Sequence, residues 1–253
     1  LRKKQRSTNI NIYSILSVVL VIIIWQSASF FKLVPDFMLP SPLQVVQAFI
    51  SDFHLLVFHA KVTLVEAVVG LISGVSLGII AAIFMDHFKS VKDALYPVLV
   101  LTQTIPTVAI APLLTIWFGF GIMPKVVLIV ITIFFPVSVA MLNGFSSVDA
   151  DEIRLLRSMG ANQFQIFTHI KLPASLGDFF SALRIAVTYA VIGAVISEWL
   201  GGFVGLGVYM TRVRKSYDFD KMFAVIFLIS IISLLLVAVV NVIEKYSMPW
   251  KRN

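Results

Sequence analysis

The chain has 253 residues, 59% of them hydrophobic and only 13% charged, with a formal net charge of +7 and no cysteine. Soluble domains carry roughly 25% charged residues, so an ordinary soluble globule is excluded, and without cysteine so are disulfides and thiolate metal sites. The positive residues are scattered among short polar stretches, which suits basic loops against anionic lipid and argues against a nucleic-acid surface.

In chain order, the hydrophobic runs predict an all-α polytopic membrane protein with six transmembrane helices, because a helix needs about 20 apolar residues to cross a bilayer. The runs are continuous and do not alternate as barrel strands do. The first span covers about 10–31, behind the basic cluster Arg2, Lys3, Lys4 and Arg6. A signal peptide has a similar start, but no small-residue cleavage site follows, so an uncleaved first helix is expected. The second span, 62–84, carries Gly70, Gly74 and Gly78. Glycines every four residues make one smooth face for close helix approach, and static packing is the preferred reading over a hinge.

The third span, 95–117, contains Pro97, Pro106 and Pro112. Each can kink a helix, and irregular backbone at membrane depth is tolerated only inside protein or along a cavity. Gln103, Thr104, Pro106 and Thr107 are therefore candidates for a translocation path; fixed kinks, with hydroxyls bonded to their own or neighbouring helices, are the alternative. The fourth span is 125–145, the fifth 179–199 and the sixth 222–242, all within a single membrane domain, 1–253.

Lys and Arg favour the cytoplasmic side and Trp the interface. Both signals place the two termini inside, with Trp25, Trp117 and Trp199 at the outer face. The loop after span five, with Arg212, Arg214 and Lys215, is the outlier. Glu66 and Glu198 fall near outer span ends and Arg184 near an inner one, where partial solvation or snorkelling is expected. The sharper alternative adds Glu66 and Glu198 to the path as an outer vestibule. His54, His59, His87 and His169 lack ligand spacing, so no metal site is predicted.

The polar stretch 149–175 lies between spans four and five, on the cytoplasmic side. Asp149 and Asp151 suit a helix start. Gly160 permits the left-handed backbone that ends a helix. Phe164, Phe167 and Ile170 recur at helical spacing, and Pro173 ends that second helix or starts the next element. The expected product is a helix–turn–helix elbow presenting Arg154, Leu155 and Met159; an amphipathic loop lying on headgroups is the alternative.

This stretch resembles the coupling loop of the membrane subunit of bacterial ABC importers, whose motif is E-A-A-x-x-x-G, nine residues, then I-x-L-P. Gly160, the spacer, Ile170, Leu172 and Pro173 match; Arg154 stands in place of Glu, and Leu155 and Leu156 in place of the alanines. Leu39-Pro40-Ser41-Pro42, Trp117-Phe118-Gly119 and Glu198-Trp199-Leu200-Gly201 are similar to the nitrate, sulfonate and taurine branch.

The resemblance implies a bacterial inner-membrane importer permease that docks a separate ATP-binding subunit through Arg154, Leu155, Leu156, Met159, Gly160, Ala161, Ile170, Leu172 and Pro173. It also implies a second copy of the chain and an extracytoplasmic solute-binding protein; the basic outer loop is either a docking surface for an acidic lobe of such a protein or a local failure of the positive-inside rule. No cofactor is expected on this chain: ATP and Mg belong to the partner, and no G-x-x-x-x-G-K-[ST] occurs here. The texture around Ile153–Gly160 and Tyr189–Trp199 looks most like permeases for pyrimidine precursors of thiamine, with nitrate, taurine and alkanesulfonate open. An ion-driven carrier and an intramembrane enzyme are the other classes, but neither broken repeats with mid-membrane ionisable groups nor an H-E-x-x-H motif is evident.

Overall fold

A computed structural model describes residues 12–35 and 38–249. The basic cluster Arg2–Arg6, the expected start of the first span at Ile10, and the terminal Lys251 and Arg252 lie outside the described residues. Among these, every regular element is helical: α1 (Ile12–Phe30), α2 (Pro42–Ser51), α3 (Phe53–His87), α4 (Lys89–Thr104), α5 (Thr107–Phe118), α6 (Ile122–Ser146), α7 (Ala150–Ser158), α8 (Gln163–Ile166, running on through a π turn at Phe167–Lys171), α9 (Leu172–Gly201), α10 (Leu206–Lys215) and α11 (Phe219–Ser247). By length and composition four helical stretches can cross a membrane: Phe53–His87, Ile122–Ser146, Gln163–Gly201 and Phe219–Ser247. The bent pair α4–α5 is a fifth candidate, and α1 is a shorter apolar helix.

The third expected span is not one helix. Ile105 and Pro106 are both extended (ψ 122° at each), and α4 and α5 meet at a bend of 102°. Proline pushes the residue before it out of the helical region, so Ile105-Pro106 makes the break, while Pro97 and Pro112 stay inside their helices. A helix that the hydrophobic pattern did not announce, α2, starts at Leu39-Pro40-Ser41-Pro42. Ser41 caps it in a reciprocal box with Gln44, and Pro42 occupies the first turn, where its missing N–H costs nothing.

The core is three helices. α6 lies between α3 and α9, and its Leu128, Ile129, Ile133, Val137 and Met141 are buried. The glycine face of α3 lets α6 come close. A Cβ on Gly70, Gly74 or Gly78 would stand 2.7, 2.5 or 2.9 Å from Ile129, Ile133 and Val137 in turn. The four-residue spacing is thus a close packing seam. α11 packs on α9 and α2, and α1 attaches through Trp25, which stacks on Phe223 and Phe227 and donates its Nε1–H to the Pro40 carbonyl at 3.0 Å. Arg184 pairs with Glu244 of α11.

Two rods outrun a bilayer. α3 has 35 residues and the unbroken stretch Gln163–Gly201 has 39, about 52 and 58 Å at 1.5 Å per residue, against a hydrocarbon core of about 30 Å. Their opposite ends carry the elbow and a buried polar cluster.

Candidate functional site

At one end of the bundle, 149–175 folds into the expected elbow through local signals. Asp149 starts α7 by accepting the Asp151 N–H at 2.9 Å. The helix closes with Gly160 N–H donating to the Arg157 carbonyl and Ala161 N–H to the Leu156 carbonyl, both at 3.0 Å. This paired closure needs a left-handed residue, and Gly160 supplies it at φ +88°. Asn162 then caps α8 in a reciprocal box with Gln165. Pro173 does not end this helix. It sits in the first turn of α9, and the π turn before it, where Leu172 N–H reaches back to Phe167, absorbs the proline without breaking the rod.

No residue of α7 is buried. Leu155, Met159 and Phe164 are 63, 74 and 73% exposed, and Arg154 makes only a surface pair with Asp151 at 3.1 Å. Leu156, Ala161, Ile170 and Pro173 are half-buried at the base, with Leu172 at the edge of exposure. A nine-residue helix is marginal in water on its own, and a cluster of large exposed apolar groups rimmed by charge marks an interaction surface. The base is firm: Lys171 Nζ lies 2.7 Å from Asp86 at the end of α3, Ile166 is buried, and Gly144 admits Ser175 so closely that a Cβ would stand 2.6 Å away. A cleft of about 720 Å³ between elbow and α3 is lined by Asp86, His87, Arg157, Phe164 and Lys171 among others.

The opposite end of the rods holds a buried polar cluster. Glu66 of α3 and Glu198 of α9 are 4 and 1% exposed, so neither is partly solvated, as counting from span ends suggested. Lys125, the first residue of the fourth expected span, is buried too, with Nζ 2.5 Å from Glu66 Oε1. Glu198 Oε1 accepts the Thr63 hydroxyl at 2.7 Å, and Oε2 accepts the Gly207 N–H at 2.6 Å. Leu206 N–H donates to Thr63 Oγ1 at 2.8 Å and Gly205 N–H to His59 Nδ1 at 3.0 Å. The first amides of α10 are therefore capped by side chains of α3 and α9, where a carboxylate at a helix N-terminus is favoured. Glu66 Oε2, beside the Glu198 carboxyl, is the one buried side-chain polar atom among the described residues with no hydrogen-bond partner.

The sequence-derived path residues are not brought together. Gln103, Thr104 and Pro106 lie exposed at the α4–α5 bend and Thr107 half-buried beside them, whereas Glu66 and Glu198 lie inside the α3–α6–α9 packing. Thr104 donates its hydroxyl to the Leu101 carbonyl of its own helix at 2.8 Å. Sequence reasoning missed Lys125, Thr63 and His59; Gly205-Leu206-Gly207, whose amides reach Thr63 and His59, was the signal for those two, and no signal marked Lys125. Gly205 has φ +137° and its Cβ would fall 2.1 Å from Glu198 Oε1, while a Cβ on Gly207 would meet the Val195 carbonyl at 2.4 Å.

Residues 74–253 match the family described as the inner membrane component of binding-protein-dependent transport systems. The chain belongs to this family. It is 36% identical over 234 residues, 92% of this chain and 93% of the relative, to the formylaminopyrimidine transport permease ThiX of Halalkalibacterium halodurans. It is 28% identical over 244 residues, 94% and 89% of the two chains, to the taurine transport system permease TauC of Escherichia coli. A crystal structure described as an amino acid ABC transporter with histidines shares the fold with a TM-score of 0.63 at 16% identity, over 79% of this chain and 95% of that one. The expected family and branch are borne out. The protein is a multi-pass permease subunit of an ABC transporter for small solutes, a transport component working with an ATPase and a substrate-binding protein.

Proposed function

We propose that the chain is the permease of a thiamine-precursor importer, carrying a formylated or otherwise substituted aminopyrimidine. The single observation that carries the substrate is the 36% identity along nearly the full length of a formylaminopyrimidine permease; the taurine permease matches over a similar span at 28%.

In this reading six spans cross the membrane, α1 and the α4–α5 pair included, with both termini cytoplasmic. The elbow is then cytoplasmic, and its exposed Leu155, Met159 and Phe164 seat in a groove of the ATPase. Arg154, in the place of the family's Glu, calls for a groove that accepts a cation. Two copies of the chain pair across the exposed α4–α5 surface, which carries Leu101, Ile105, Val108 and Ile116 beside the hydrogen-bonding Gln103 and Thr107. That mixture suits a wall shared by a partner helix and a polar solute. ATP binding on the partner drives the elbows, and the paired chains alternate between outward- and inward-open.

The test is uptake of labelled formylaminopyrimidine into proteoliposomes holding the chain, its ATPase and its binding protein. Uptake should need both ATP and the binding protein. Uptake driven by an ion gradient without ATP would establish a carrier instead, and accumulation of taurine but not the pyrimidine would replace the substrate.

A further inference from the structure

The two sites sit at opposite ends of the same two rods. At the elbow end Lys171 ties the start of α9 to Asp86 of α3. At the far end Thr63 and Glu198 tie the same two helices again. Between these ties α6 fills the space, locked to α3 by the glycine seam and to α9 at Gly193, where a Cβ would stand 3.2 Å from Ile129. Two rods joined at both ends and packed through a third cannot slide or splay without breaking a tie. Packed interfaces of this kind switch between discrete arrangements rather than deform continuously.

α10 is attached to this frame by its backbone. Three consecutive N–H groups, of Gly205, Leu206 and Gly207, reach His59, Thr63 and Glu198. Its other end bears Arg212, Arg214 and Lys215, which are exposed. Nothing in the sequence of α10 makes a ten-residue helix stable alone; Leu206, Tyr209 and Val213 pack it against Leu56 and Val225, and the three side chains beneath fix its N-terminal end.

We propose that Glu198, Thr63 and His59 are positioning residues of the transport cycle: they fasten α10 to the α3–α6–α9 frame, so that α10 and the elbow move as one rigid body. ATPase motion at the elbow then reaches the opposite membrane face as a displacement of α10, without a hinge between them. This rests on the elbow being the ATPase contact.

The chain has no cysteine, so Ser158→Cys on the elbow and Ser216→Cys past α10 give a spin-label pair in the otherwise intact protein. In proteoliposomes with ATPase and binding protein, the interlabel distance should be the same without nucleotide and with ATP trapped. Thr63→Val preserves shape and removes the hydroxyl. It should broaden that distance and lower uptake per ATP hydrolysed by at least about fivefold, the low end of coupling between sites. Thr63→Ser, which keeps both hydrogen bonds, should restore both readouts. A distance that changes with nucleotide in the unmutated chain overturns the proposal, as does a Thr63→Val protein with unchanged distance and coupling. If Thr63→Val fails to assemble, the unmutated distance decides. Absence of any ATP-dependent uptake by the unmutated chain defeats the coupling reading itself, and the clamp falls with it.

Discussion

The elbow and the polar cluster share two helices and are built by opposite means. The elbow is assembled from neighbours in sequence and leaves its apolar side chains in the open, with no residue of α7 buried. The cluster is assembled from residues as far as 146 positions apart and hides every charged group it uses. An exposed, locally built knob is suited to meeting another protein, because changing its side chains costs the fold little. A buried charge network is suited to fixing geometry, because each member fails without the others. The contrast predicts that cluster mutations act on stability first and elbow mutations on coupling first.

The largest effect is expected at Lys125. Replacing it with Met leaves Glu66 buried without its cation, and breaking a buried pair from one side costs about 3–5 kcal/mol. The detergent-solubilised variant should unfold well below the parent in a thermal melt. Replacing both partners, Lys125→Met with Glu66→Leu, should recover most of the loss, since an apolar pair of similar volume is often neutral. A single variant as stable as the parent would show that the cluster does not hold its end of the rods.

Gly205→Ala comes next. The new Cβ would overlap the Glu198 carboxylate in a backbone conformation that favours glycine, and displacing Glu198 also uncaps α10. A loss on the order of 3 kcal/mol is expected, the upper range for overpacking, again read from the melt. Gly207→Ala, aimed at the Val195 carbonyl, should behave alike.

These two predictions concern residues that the sequence did not rank, and the reason is physical. Helix existence is written locally: apolar runs gave every long helix, and Asp149 and Gly160 gave the elbow, because caps and left-handed turns depend on a few adjacent residues. Ends were less legible. Hydropathy marks where lipid begins, not where a helix stops, so α3 runs on to Phe53 and His87 and α9 joins the elbow without a break. Burial of an ionisable group is written nowhere locally. Glu66 and Lys125 read as two interfacial charges, and only the packing of α6 on α3 makes them a pair. The 102° bend sat between the two. Pro106 was visible, but which of three prolines would break the helix depended on Ile105 also leaving the helical region.

At the elbow, Gly160→Val tests the other half of the contrast. A Cβ there meets nothing within 4 Å, so the cost is backbone strain alone, at φ +88°. A left-handed conformation costs an L-residue about 1–2 kcal/mol, and this lands on a turn that the core does not need. Membrane insertion and most of the melting temperature should survive, while ATPase co-purification or ATP-driven uptake should be lost. Normal transport with a normal ATPase complex would remove the elbow from the coupling route.

The smallest effect lies at the far end of the contrast, where α10 has a second, more exposed attachment. Asp52, between α2 and α3, accepts the Tyr209 hydroxyl at 2.5 Å and lies 2.9 Å from Lys221 Nζ. Burial pushes its carboxyl up, but the hydrogen bonds from Tyr209 and Lys221 outweigh burial and hold it below the usual carboxylate range. Burial first, and then the Asp52 carboxylate, push the Tyr209 phenol up. A depressed acid stabilises the fold above its unfolded value, about 3.9, and that contribution disappears as pH falls through the lower folded value. The raised phenol works in reverse: its contribution is complete below about 10 and is lost as pH rises through the higher folded value. The attachment should therefore be flat across neutral pH and weaken only toward strong acid or strong alkali. Asp52→Asn should remove the acid-side part, flattening the melting temperature below about pH 4 relative to the parent. Its neutral-pH effect should stay small, because the pair is partly open to solvent and screened. A large neutral-pH loss in Asp52→Asn would move the main fastening of α10 from the buried cluster to this outer pair.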